Sequence, residues 1–260
     1  MAGGQPGAER GNVKGAFVDV AVRITPRLSE LAGADRRLRV AELALGGVPR
    51  GAVALLCRPG DLTTGAVELV NGLAEHGYES VAADLSATDV EVLTDDVLRQ
   101  GVRLLLDRLA KRGWELEQIG LLGYGLGGRA ALLAAADHVL GAAVSVDPAG
   151  IASPAGPGLP ALLRSPHRVV TPWLGMFGQD DPATDASHVR ELGAGLVASS
   201  PVFTQVVAYP GVSGDFYLDT HGALAHAASY DSWQRVVEWL NARVVPRPTP
   251  LARAWQDRRG

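Results

Sequence analysis

Gln118–Ala136 reads Gln-Ile-Gly-Leu-Leu-Gly-Tyr-Gly-Leu-Gly-Gly-Arg-Ala-Ala-Leu-Leu-Ala-Ala-Ala. It is a short apolar strand, a turn packed with glycine, and an alanine- and leucine-rich helix. A strand-to-helix turn this tight in mid-chain presents whatever sits at its tip. Two motifs fit. In one, the turn is a Gly-x-nucleophile-x-Gly elbow whose nucleophile slot is Gly125, and that slot carries no side chain. In the other, Gly123, Gly125 and Gly128 form a dinucleotide-binding fingerprint, with Asp147 at the end of the next strand placed to bind a ribose hydroxyl.

Working outward, strand and helix signals alternate. Ala52–Cys57 is a continuous apolar run, as expected of a strand buried on both faces. A helix capped by Asp61 runs through His76, and Tyr78–Leu85 is the next strand. The spacing predicts a long amphipathic helix over Asp89–Arg112, with Val92, Val97, Leu98, Leu104, Leu105 and Leu109 on its apolar side. Beyond the organising stretch come strands at Ala142–Asp147, Val169–Phe177 and Pro201–Tyr209. Helices are expected at Asp185–Ser199 and Tyr230–Val244. Upstream, Ala16–Ile24 and Leu38–Leu45 alternate apolar and polar residues as half-buried strands do. The pattern predicts an α/β domain with a mostly parallel central sheet. Residues 16–245 are read as that single domain, 1–15 as a disordered arm and 246–260 as a loosely attached tail.

The composition narrows the function classes. The chain has 260 residues, 47% of them hydrophobic, and a net charge of −4, which gives no electrostatic footprint for nucleic acid. No apolar run is long enough to span a membrane, and the amino-terminal residues do not read as a secretory signal, so a cytoplasmic protein is expected. A single cysteine, Cys57, excludes an internal disulfide and a cysteine-built metal site. His221, His226 and Asp219 match no established ligand spacing, so neither a metal nor another cofactor is expected.

In a parallel sheet of this kind, ligands bind beyond the carboxyl ends of the strands. The elbow motif carries a further expectation there: nucleophile, acid and histidine follow one another along the chain at successive strand ends. Gly178-Gln179-Asp180-Asp181-Pro182 stands where the acid belongs, and Pro210–Phe216 where the histidine belongs. Leu73–Tyr78 with Ala82–Leu85, Gly123–Gly128, Phe177–Pro182, and Tyr209–Gly211 with Phe216 together resemble the dienelactone hydrolase family, over roughly residues 52 to 243.

That resemblance implies an α/β-hydrolase fold with helices on both faces of the sheet. It also implies a triad of Cys or Ser, His and Asp. The family's acid falls on Asp181, its nucleophile on Gly125 and its histidine on Gly214. One triad position of three is retained, so acyl transfer by a nucleophile and an imidazole is not expected. The expected role is non-catalytic: binding of a small carboxylate or ester-like ligand, or a surface for a protein partner that the sequence does not name. The expected pocket is lined by Cys57, Arg58, Tyr124, Leu126 and His221. The N–H groups from Leu126 onward face a carbonyl oxygen or an anion there. The alternatives are a hydrolase with Cys57 or His221 as displaced catalytic groups, and a dinucleotide-binding protein.

Overall fold

The computed structural model describes residues 23–33, 36–87, 92–164, 168–182, 184–218 and 222–258. The five consecutive strands β3 (Gly51–Cys57), β4 (Tyr78–Asp84), β5 (Ile119–Tyr124), β6 (Ala142–Val146) and β7 (Trp173–Gly178) are buried along their whole length. This follows from their mainly apolar composition, since strands in a parallel sheet are covered on both sides, and among the polar exceptions Glu79, Asp84 and Ser145 are each hydrogen-bonded. With β1 (Arg27–Ala32), β2 (Arg37–Leu43) and β8 (Thr204–Tyr209) they form one eight-stranded sheet, ordered β1-β2-β4-β3-β5-β6-β7-β8. β1–β2 and β2–β4 pair antiparallel; the other pairs are parallel.

Alternation along each strand sends side chains to two cores. Ala52, Ala54 and Leu56 pack with α2 (Asp95–Ala110), α3 (Leu126–Asp137) and α4 (Ala186–Ser199). Val53, Leu55 and Cys57 pack on the opposite face with α1 (Gly65–Glu75) and α5 (Ala223–Arg243). A short α6 (Pro250–Gln256) follows. The tail begins with an anchored residue: Arg247 lies 3.5 Å over the Trp114 ring and donates to the Gly113 carbonyl at 2.7 Å. No helix among the described residues is long and apolar enough to cross a membrane.

Several boundaries differ from the sequence expectation. The strand expected over 16–24 lies outside the described residues up to 22, and Arg23 and Ile24 are not in a strand; the first strand is Arg27–Ala32. Of the helix expected from Asp89, residues 89–91 lie outside the described residues, and the described helix starts at Asp95, because Thr94 accepts from the Val97 N–H and caps it there, while Val92 stays 49% exposed. β7 starts at Trp173 and β8 at Thr204, each after a proline-containing approach, and α5 starts seven residues before the expected Tyr230. Asp61 does stabilise the start of α1, accepting from the Gly65 N–H at 2.9 Å and the Thr64 hydroxyl at 2.6 Å.

Two features fix α3 against the sheet. A Cβ on Gly127 would overlap the Leu56 carbonyl, and one on Gly123 would overlap the Gly127 carbonyl, so helix and strands touch backbone to backbone. Arg129, fully buried, then ties three segments together. It forms a two-pronged ion pair with Asp95 at 2.6 and 2.8 Å and donates to the carbonyls of Pro160 at 2.6 Å and Ala149 at 3.3 Å. A buried guanidinium with all these acceptors in place holds α2, α3 and the connection after β6 in one arrangement. Arg129→Met should therefore lower unfolding stability by about 3 kcal/mol, as the carbonyls and Asp95 lose their donor. Urea unfolding followed by circular dichroism measures this; a loss below about 1 kcal/mol would fall within the range of an ordinary exposed pair.

Candidate functional site

The carboxyl ends of β3 to β8 converge on one edge of the sheet. Gly125 follows β5 directly with φ 55° and ψ −114°, a backbone state that side chains rarely adopt. Its N–H donates to the Val146 carbonyl at 2.9 Å, and its carbonyl accepts from Arg129 and Ala149, each at 3.0 Å. The turn is thus fixed by bonds to the end of β6 and to the first turn of α3. A side chain at Gly125 would enter open space, with the Tyr217 hydroxyl the nearest described atom at 4.0 Å.

That space belongs to a cavity of about 690 Å³ whose lining includes Gly125, Asp147, Asp181, Gly214 and Asp215. The acid loop after β7 and the loop after β8 are joined by backbone bonds, Gln179 N–H to Tyr209 and Asp180 N–H to Val212, at 2.9 and 3.0 Å. Asp181 and Gly214 therefore face the same volume as Gly125. Gly214 meets Asp147: a Cβ at position 214 would lie 2.6 Å from Asp147 Oδ2. The Asp147 carboxyl thus fills the space through which a side chain at 214 would leave the backbone. Asp147 has φ 47°, a left-handed value uncommon outside glycine. Burial, reinforced by the nearby charges of Asp181 and Asp215, pushes its carboxyl up to about 7.

A second cavity of about 320 Å³ lies on the α1/α5 side, lined by Cys57, Leu69, Tyr124 and Trp233 among others. Arg58 and Tyr217 line both cavities and separate them. The Tyr124 and Tyr217 rings are 4.9 Å apart, the Arg58 guanidinium is 6.0 Å from the Tyr217 ring centre, and Arg58 is paired with Asp61 at 3.5 Å. Burial, with the charge of Asp147 next, raises the Tyr217 phenol above its ordinary range. Burial, then the charges of Asp84 and Asp61, pushes the Cys57 thiol up to about 12. A cysteine held in this state is a neutral thiol near pH 7 and a poor nucleophile.

The expected site residues fall into three groups. Gly125, Asp181 and Gly214 share the larger cavity, and Cys57, Arg58 and Tyr124 line the smaller one. The Leu126 side chain packs into the core on the α2/α3 side of the sheet. His221, with Asp219, lies outside the described residues. No described histidine lines either cavity. His226 is exposed on α5, and no described group of histidine, cysteine or carboxylate side chains is arranged to hold a metal ion. Gly123 is accounted for by packing of α3, and Asp147 faces two other carboxylates. Tyr217 has no signal in the sequence beyond its place in the loop after β8.

Residues 64–244 match the profile of the dienelactone hydrolase family. Among solved structures, the chain is similar to a candidate dienelactone hydrolase from Klebsiella pneumoniae, with a TM-score of 0.69 and 18% identity over 83% of this chain and 97% of the other. A dienelactone hydrolase-like promiscuous phosphotriesterase from metagenomic libraries gives 0.68 and 18% over 86% and 99%. Esterase 2 of Thermogutta terrifontis, in a structure phosphorylated by paraoxon, gives 0.65 and 15% over 83% and 92%. At these identities the structural likeness establishes the α/β fold with its mostly parallel sheet. No curated protein sequence matches the chain.

The state of Asp147 has a consequence for stability. Its carboxyl binds a proton more tightly folded than unfolded, so between about pH 4 and pH 7 the native state holds a proton that the unfolded chain has lost. Its contribution to stability therefore falls as pH rises through that window. Asp147→Asn keeps a residue that tolerates positive φ and removes the charge. The variant should exceed wild type by about 1–3 kcal/mol at pH 8 and match it near pH 4. Denaturant unfolding at the two pH values decides this, and an equal difference at both would refute it.

Proposed function

The chain belongs to the dienelactone hydrolase family, and from that premise we propose that it retains the family's pocket for a small ester-like ligand without the nucleophile–histidine relay. The observation that carries this reading is the pairing of two glycines. Gly125 holds the elbow backbone with nothing on it, and the side-chain space of Gly214 is taken by the Asp147 carboxyl. In this reading Asp181 keeps the family's acid position at the lining of the larger cavity. Removing the nucleophile or the base alone typically costs about a millionfold in rate, so covalent acyl transfer is not the activity proposed.

Electrostatics selects among small ligands. Asp147, Asp181 and Asp215 line the larger cavity, while Arg58 is already paired with Asp61. A free carboxylate would meet net repulsion there. A neutral ester, lactone or amide can place its carbonyl oxygen at the start of α3 without bringing charge. The displaced-nucleophile alternative loses its cysteine to burial, since Cys57 is 3% exposed and its thiol is raised. A role as a docking surface for a protein partner has no specific observation in its favour.

Two measurements test the reading. δ-Valerolactam, a neutral and stable analogue, should raise the melting temperature by about 3–6 °C at ten times its Kd, whereas acetate and benzoate should not. Paraoxon, which phosphorylates the Thermogutta esterase, should leave the intact mass of this chain unchanged. A phosphoryl adduct would establish a working nucleophile and overturn the proposal, as would a pocket responding to carboxylates alone.

A further inference from the structure

The larger cavity has room in front of Gly125 and a carboxyl group beside it. We propose that Asp147 is a general base that activates a water molecule at the Gly125 position, so that the site hydrolyses a neutral ester or lactone directly, with no acyl-enzyme. This rests on the ester-like ligand proposed above and adds to it a reaction and a catalytic residue.

The placement of Asp147 follows from the backbone. Val146, its chain neighbour, accepts the Gly125 N–H at 2.9 Å, and Ala149, two residues on, donates to the Gly125 carbonyl at 3.0 Å. The elbow and the Asp147 turn are thus held side by side. Asp147 projects towards Gly214, where the family's histidine would be rooted, with Oδ2 2.6 Å from the Cβ position there. A proton acceptor therefore occupies the region of the missing imidazole. A nucleophilic oxygen from water has space at Gly125, since among the described residues only the Tyr217 hydroxyl approaches a Cβ built there.

Besides Asp147, the charged and titratable groups among the described residues that line this cavity are Asp181 from the β7–α4 loop, Asp215 and Tyr217 from the β8–α5 loop, and Arg58, paired with Asp61, from the β3–α1 loop. Burial, with the charges of Asp181 and Asp215 next, brings the Asp147 carboxyl to about 7. A base with this value is matched to work near neutral pH.

The reaction balances without any co-reactant other than water. Asp147 takes a proton from water as the water oxygen bonds to the ester carbonyl carbon. The carbonyl electron pair moves onto its oxygen, which faces the N–H groups at the start of α3. The tetrahedral species then re-forms the carbonyl and breaks the bond to the alcohol oxygen, which leaves with the electron pair and recovers the proton from Asp147. One ester and one water give one acid and one alcohol.

The test follows turnover of p-nitrophenyl acetate and δ-valerolactone from pH 5 to pH 9, in wild type and Asp147→Asn, with the lactam-induced thermal shift measured alongside. Wild type should turn over with a rate that rises to a plateau above about pH 7, without a burst of p-nitrophenol. Asp147→Asn should lose at least about 100-fold, a typical contribution of a positioned base, while keeping its thermal shift. A lactam shift without wild-type turnover would overturn this inference and leave the binding reading intact. Turnover that persists in Asp147→Asn, or that begins with a burst, would overturn it too. Absence of any lactam shift would remove the ligand reading itself.

Discussion

The contact on which the rest of the molecule depends is the backbone-to-backbone approach of α3 to β3 and β5. Gly123 and Gly127 leave no room for a β-carbon, so the helix axis sits as near the sheet as the chain allows. From there the consequences run outward. The first turn of α3 is fixed, the Gly125 carbonyl is bonded to Arg129 and Ala149, and the end of β6 lies directly beside the elbow. Arg129, from the same helix, extends this order to α2 and to the connection after β6. The cavity edge is rigid because the turn beneath it is bonded on both sides.

Within that frame, the two glycines at 125 and 214 act differently. The first leaves an unfilled space; the second leaves a space that Asp147 fills. A histidine introduced at 214 would meet the Asp147 carboxyl, which would have to turn aside to admit it. Beside Asp181 and Asp215 the same carboxyl holds its proton up to about pH 7, and these three acids are what the proposed preference for a neutral ligand over an anion rests on.

The fold was largely legible because burial on two faces writes itself as continuous apolar runs, as in Ala52–Cys57. Boundaries were less so where a single side chain decides them, as Thr94 does for α2. Gly125, Asp181 and Gly214 could be placed together because each follows its own strand in a fixed order. Asp147 could be found but not read. As a residue ending a strand it suits a ribose equally well, and its meeting with Gly214 is made only by the packing of β6 beside the loop after β8. Cys57 shows the reverse case. It lies at the expected strand end, but its thiol is raised first by burial and then by Asp84 of the neighbouring strand β4, neither of which its own stretch of sequence displays.

Arg58 and Tyr217 form a partition between a roomy polar chamber and a smaller chamber walled by Tyr124, Leu69 and Trp233. The smaller chamber also reaches the surface, at Glu68 and Leu218. A compact molecule need fill only the larger chamber, whereas one with an apolar arm can bury that arm against Leu69 and Trp233 by crossing the boundary that Arg58 and Tyr217 form. Movement of those two side chains would then set how long an arm the paired chambers admit.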